Sequence, residues 1–240
     1  MKSSKIVLAS LLGVLGVATL NVSASPRAAE AAGSHYLMAA DDLEGWHLGG
    51  FYRYADREVA NGALALKQNK FIMHLGRDLL SWLSVYGMVG TTSAKLSPSA
   101  FEAEYAAEYG GGVWVNFLDH DLLNNLALET RLRLQGIAQI STAEPEINGF
   151  EDRYVETYAA LTLNIVNEII GNKNYWPEAI GLFFGPVYNK VEFDDTDVTG
   201  DEVGLTVGLD LHFSRNIAMS LGYEAFDDDK VYNAALNYRF

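Results

Sequence analysis

From residue 46 to the end, apolar and polar side chains change places at nearly every position, in runs separated by short polar or glycine-containing breaks. A period of two marks an extended strand, whose successive side chains point to opposite faces. The runs predict ten strands, at 46–57, 63–75, 82–95, 103–118, 125–140, 153–166, 175–192, 202–213, 216–226 and 229–240. In 125–140, Leu126, Leu128, Thr130, Leu132 and Leu134 share one face, against Glu129, Arg131, Arg133, Gln135 and Gln139. In 202–213, Val203, Leu205, Val207, Leu209, Leu211 and Phe213 oppose Gly204, Thr206, Gly208, Asp210 and His212. The final run sets Tyr232, Ala234, Leu236, Tyr238 and Phe240 against Val231, Asn233, Ala235, Asn237 and Arg239. The strand at 63–75 is the least regular, because Lys67 and Asn69 share a face with Phe71, Met73 and Leu75. Turns are expected at Asn61-Gly62, from Arg77-Asp78, and over 119–124. Pro186 falls inside a strand, where a missing N–H is normally tolerated only at an edge or a bulge.

Alternation alone fits two architectures. A soluble β-sandwich turns its apolar faces inward; a transmembrane barrel turns them outward. The amino-terminus favours the second. Lys2 and Lys5 precede an apolar run from Ile6 to Leu20, and Val22-Ser23-Ala24 supplies small residues before a cut. This reads as a secretory signal peptide over 1–24, too short in its apolar core for a membrane-spanning helix. Residues 25–45 are Ala- and Ser-rich without a period and read as a flexible periplasmic tail. Residues 46–240 then form one domain. Its expected fold is all-β: a closed, antiparallel, up-and-down transmembrane β-barrel of ten strands, with eight as the alternative. An even count returns both ends of the domain to the periplasmic side.

Composition narrows the chemistry. There are no cysteines among the 240 residues, which excludes disulfides and thiolate metal sites. The formal net charge is −14, a poor match for phosphate or nucleic acid, so no nucleic-acid partner is expected. The acidic loops at 194–201 and 227–229 could attract divalent cations. Asp195, Asp197 and Gly200 match the start of a calcium loop, but Thr206 stands where the closing Glu belongs and no helices flank it. The five histidines show no zinc spacing, and no cofactor or metal site is expected.

Polar residues on the inward faces form the main candidate constellation: Arg53, Glu104, Glu108, Glu129, Arg131, Arg133, Glu156, Asp210, Glu224 and Arg239. Small barrels fill their interior with side chains, and buried charges need partners. Arg131 and Arg133 are expected to pair with Glu104, Glu108 or Glu156 on neighbouring strands. The network reads as a structural lumen or, alternatively, as a narrow polar pore.

Three stretches carry a resemblance: LSVYGMVG at 83–90, HFSRNIAMSLGYEAF at 212–226 and YNAALNYRF at 232–240. They resemble the small bacterial outer-membrane β-barrel superfamily, in the manner of OmpA- and OmpX-like barrels. The resemblance implies location in the outer membrane among lipid and lipopolysaccharide. It also implies that Tyr238 and Phe240 form the signal read by the barrel-insertion machinery. Asp210-Leu211-His212 is similar to the Asp-x-His pair of omptin proteases, and His212-Phe213-Ser214 to the His-x-Ser pair of the lipid A deacylase PagL. Both sites face the outer leaflet or exterior in those families, whereas residues 210–214 fall at the periplasmic end here. The expected function is therefore non-enzymatic: a structural, interaction or envelope-integrity role. A small porin-like channel is the alternative, and a lipid A or peptide hydrolase stands behind it.

Overall fold

The computed structural model describes residues 45–59, 64–80, 82–97, 105–122, 128–147, 150–151, 153–169, 177–194, 199–214, 216–227 and 229–240. The expected signal peptide, tail, Asn61-Gly62 turn and Asp195–Gly200 loop segment lie wholly or mainly outside them.

Alternating sequence becomes strand throughout: β1 (Trp46–Val59), β2 (Leu64–Leu80), β3 (Leu83–Ser97), β4 (Tyr105–Leu122), β5 (Leu128–Ala143), β6 (Glu146–Ile147), β7 (Phe150–Glu151), β8 (Tyr154–Ile169), β9 (Ala179–Phe193), β10 (Thr199–His212), β11 (Ile217–Ala225) and β12 (Lys230–Arg239). Strands β6 and β7 form a separate small hairpin, which the sequence pattern did not indicate. The other ten close a ring in the order β1-β12-β11-β10-β9-β8-β5-β4-β3-β2, every neighbouring pair antiparallel. The barrel thus has ten strands, and the eight-stranded alternative falls away.

Closure rests on the β1–β12 ladder, which runs from His47↔Arg239 to Asp56↔Lys230. Beyond it, the Phe240 N–H donates to the Trp46 carbonyl at 2.9 Å. Gly49 keeps the inner face of β1 low at this seam. A Cβ there would lie 2.2 Å from Asn237 Oδ1 and 2.5 Å from the His74 ring, so side chains from β12 and β2 meet above β1.

Three local departures from the expected pattern matter. Strand β2 continues through Arg77-Asp78 to Leu80, so these residues lie in the ladder rather than in a turn. Strand β4 likewise runs past the expected turn to Leu122, with a bulge between Asn116 and Leu118. A bulge adds one residue to one strand and so shifts which side chains face in; this one turns Leu118 out and Asp119 in. Pro186 produces no register shift. The β8–β9 ladder instead skips the Leu161–Pro186 and Thr162–Gly185 pairs and resumes unchanged on both sides, while Pro186 stays in register with Leu205 on β10.

The faces sort by solvent. Outside lie Phe71, Met73, Leu75, Val89, Ile140, Leu182, Phe184, Leu221 and Leu236, with Val203 73% and Leu205 67% exposed. Inside lie Arg53, Lys70, Glu108, Arg133, Glu156, Asp210 and Glu224, all nearly inaccessible. Water would favour the reverse arrangement. A closed barrel with an apolar belt and a charged interior satisfies a bilayer, because ring closure leaves no unpaired strand edge facing hydrocarbon. Aromatic side chains stand near both ends of the belt, with Trp46, Tyr238 and Phe240 at the end carrying the termini and Tyr105 and Tyr232 towards the other. Arg77 lies over the Trp46 ring at 5.4 Å.

The belt makes a measurable prediction. Val207 faces outward half-way along the apolar stretch of β10. Val207→Arg should cost about 2–4 kcal/mol in denaturant unfolding from lipid vesicles. The same substitution in a water-facing position would cost nearly nothing, so an unchanged midpoint contradicts the membrane placement.

Candidate functional site: the lumen charge network

Inward side chains of β1, β2 and β9 converge on one carboxylate of β8. Glu156 on β8 meets the Arg53 guanidinium of β1 at 2.7 Å and also accepts from the Lys70 ammonium of β2. Asn189 of β9 donates to it at 2.6 Å, and Arg57 of β1 lies 3.6 Å away. In the ring order β1 and β8 stand opposite one another, so the Arg53–Glu156 pair crosses the full lumen. Arg53 also binds Glu224 of β11 at 2.9 Å, and Lys70 binds Glu108 of β4 at 2.9 Å. The outer carboxylates are held in turn. Glu224 accepts from Tyr158 at 2.8 Å and from Asn233 at 3.1 Å. Glu108 accepts from Ser141 at 2.6 Å and from Tyr154 at 3.1 Å. Cation–π contacts brace both bases, Arg53 over Tyr158 and Lys70 over Tyr154, each at 5.0 Å.

This layer is covered on the side away from the termini by an apolar cluster of Leu66, Ala94, Ala143, Tyr154, Val191 and Phe193. The charges are therefore shielded from water as well as from lipid. Taking such groups out of water is costly unless every charge is paired and hydrogen-bonded, as Glu156 is.

A second group lies towards the termini. Arg131 and Arg133 of β5 both pair with Asp119, the Arg133 contact being 3.1 Å. The expected partners Glu108 and Glu156 are instead engaged by Lys70 and Arg53, and Glu104 lies outside the described residues. The β4 bulge brings Asp119 inward, directly opposite Arg133 in the ladder, while Glu108 is engaged by Lys70. Asp210 of β10 is buried opposite Ser220 of β11. Arg239 of β12 pairs with Asp78 of β2, across the inner face of β1. Among the expected lumen residues, Arg53, Glu108, Glu156 and Glu224 come together in one layer. Arg131, Arg133, Asp210 and Arg239 lie nearer the termini. Glu104 and the side chain of Glu129 fall outside the described residues. Tyr238 and Phe240 face outward, their rings packed edge to face at 4.9 Å.

Sequence reasoning missed Lys70, Arg57, Asp119 and Asp78. Lys70 was legible in principle: with Phe71, Met73 and Leu75 outward, it falls on the inner face of the same strand. Asp119 carried no such signal, because only the bulge turns it in.

An aromatic and histidine floor lies on the terminal side of the charge layer. Tyr86 stacks on Trp114 at 4.4 Å, His74 meets Trp114 edge-on at 5.1 Å, and His47 packs 4.7 Å from the same ring. Ser84 Oγ lies 2.7 Å from His47 Nε2 and donates to Asp78 Oδ1 at 3.1 Å. These are the residue types of a hydrolytic triad in the wrong arrangement. A triad carboxylate orients the histidine, whereas Asp78 accepts from the serine itself, and Ser84 has no exposed surface. His212 and Asp210 are similarly buried. Ser214 caps its own turn, accepting from the Asn216 and Ile217 N–H groups at 3.2 and 3.1 Å.

No protein-family profile and no curated protein matches the chain. Among solved structures, it is similar to the transport unit of the autotransporter AIDA-I from Escherichia coli, at 15% identity, 87% coverage of this chain, 95% of that one and a TM-score of 0.44. It is also similar to the β-domain of the Bordetella autotransporter BrkA, at 12% identity, coverages of 83% and 100% and a TM-score of 0.45. The outer-membrane protease OmpT from Escherichia coli matches at 14% identity, coverages of 84% and 97% and a TM-score of 0.38. On its own geometry, closed, even-stranded, apolar outside and charged within, the chain has the fold of a transmembrane β-barrel.

Glu156 is the most sensitive point of the network. Glu156→Gln removes the charge balancing Arg53 and Lys70 and should destabilise the barrel by about 3–5 kcal/mol, as breaking a buried pair does. Adding Lys70→Met to Glu156→Leu should recover more than half of the loss in the same detergent unfolding assay. A double variant no more stable than the sum of its parts would argue against direct coupling.

Proposed function

We propose that this outer-membrane barrel is non-conducting and serves a structural, interaction or envelope-integrity role. The observation that carries the reading is the Arg53–Glu156 bond between opposite walls, reinforced by Lys70, Arg57 and Asn189. A conducting lumen keeps its polar side chains against the walls and leaves water between them. Here they reach across and bind one another, beneath an apolar cap. The end carrying the termini faces the periplasm, and the far end, with the β6–β7 hairpin and the acidic Asp227–Asp229 turn, faces outward. Lipopolysaccharide is then the surrounding lipid of the outer leaflet, and divalent cations held by the acidic loops bridge to its phosphates. The outward Tyr238 and Phe240 at the periplasmic rim serve the barrel-insertion machinery. Of the residues similar to omptin and PagL sites, Asp210 and His212 are buried and Ser214 is half-buried in a turn at the end opposite the exterior, which supports the non-enzymatic reading over a hydrolase.

Planar-bilayer recordings test it. The wild-type protein should give no steady ohmic steps. Replacing Arg53, Lys70 and Glu156 together by Ala should open discrete cation-conducting events in a barrel that still shows heat-modifiable migration. Steady wild-type conductance, unaffected by the triple replacement, would favour the small-channel reading instead.

A further inference from the structure

Between the charge layer and the aromatic floor the lumen is not filled. A cavity of about 120 Å³ remains. Phe51, Tyr86, Trp114, Ile137 and Phe183 give it a large apolar wall, and polar side chains such as Gln135, Gln139, Asn164 and Asn233 stand between them. Arg53 is one of the polar lining residues, only 5% exposed, and its Nε–H has no acceptor among the described residues. An apolar cavity of ~150 Å³ stays dry and accepts a benzene-sized molecule. A chamber of this size and lining, with Arg53 Nε–H and His74 Nε2 both left over, fits a small aromatic or short alkyl molecule bearing one acceptor oxygen.

Among the described residues, side chains stand across the axis on both sides of the chamber. The charge layer and its apolar cap lie on one side, and the Tyr86–Trp114–His74 stack lies on the other. The wall offers a lateral route. Thr162 and Phe183 line the chamber, and they flank the place where the β8–β9 ladder skips two pairs. Pro186 has no N–H to give β8, and it is exposed on the outer face. Gly185 adds no side chain at the same point; a Cβ there would lie 1.9 Å from the Leu161 carbonyl oxygen. The wall thus lacks two ladder pairs where its inner side meets the cavity and its outer side meets lipid, and only the absence of a Gly185 side chain lets the two backbones lie close there.

We propose that this chamber binds one small, mainly apolar molecule with a single acceptor oxygen, drawn from the bilayer through the β8–β9 wall at Pro186. Arg53 Nε–H takes the acceptor, and the Phe51, Trp114 and Phe183 rings enclose the apolar body. This goes beyond a closed lumen, since a barrel can be non-conducting along its axis whether or not its chamber is occupied.

4-Fluorophenol is a suitable probe, followed by fluorine NMR with the full-length protein in phosphatidylcholine vesicles. The expected result is a saturable bound signal, one probe per barrel, above the linear partition into protein-free vesicles. Ala235→Phe and Ile137→Trp each fill the chamber and should abolish the signal; heat-modifiable migration identifies which variants are folded, and either suffices. Pro186→Val restores the missing donor and should slow exchange at least tenfold while leaving saturation in place. Purely linear partition by wild type overturns the site, as does full binding by a folded filled variant. Unchanged exchange in Pro186→Val overturns the lateral route. Conductance of the same preparations reports separately on the closed-lumen reading.

Discussion

The antiparallel ladder between β1 and β12 is the constraint on which the rest of the structure depends. Hydrocarbon offers no partner for a strand edge, and each unsatisfied backbone group there costs several kcal/mol. Closing the ring removes both edges at once. The cost falls on the interior, where a narrow ring leaves little room at the seam. Gly49 makes that room, letting Asn237 and His74 meet over β1, and Arg239 reaches Asp78 across the same strand.

Closure also decides what the charges do. Once the outer face belongs to lipid, every inward Arg, Lys and Glu must find its partner inside. Glu156 can serve Arg53, Arg57 and Lys70 together because the ring places their strands around one axis. The same bonds that neutralise the charges also bar the axis. Structural pairing and the bridging of the lumen are therefore one arrangement. The remaining void lies beneath this layer, beside the point where Pro186 interrupts the wall.

Legibility followed the regularity of the strands. β10 and β12 alternate without interruption, and their faces could be assigned residue by residue. β2 mixes Lys67 and Asn69 with Phe71 on its outer face, because its far end rises beyond the apolar belt, and the inward Lys70 was overlooked as a result. In β4 the bulge after Asn116 is invisible to a period of two, so Asp119 read as turn rather than as the partner of Arg131 and Arg133. Pro186 announced a disturbance but not its form, since a skipped pair and a shifted register look alike along a single chain.

By itself, then, the sequence determined where the main strands lie and which face of each regular strand is apolar, because these follow from side-chain period along one strand; ring closure settled ten strands over eight. Tertiary structure decided which charge meets which, that the Glu156 contacts cross the lumen, and that a chamber is left below them. Those depend on the order of strands around the ring and on their stagger, which bring together residues as distant in the chain as Arg53 and Glu224.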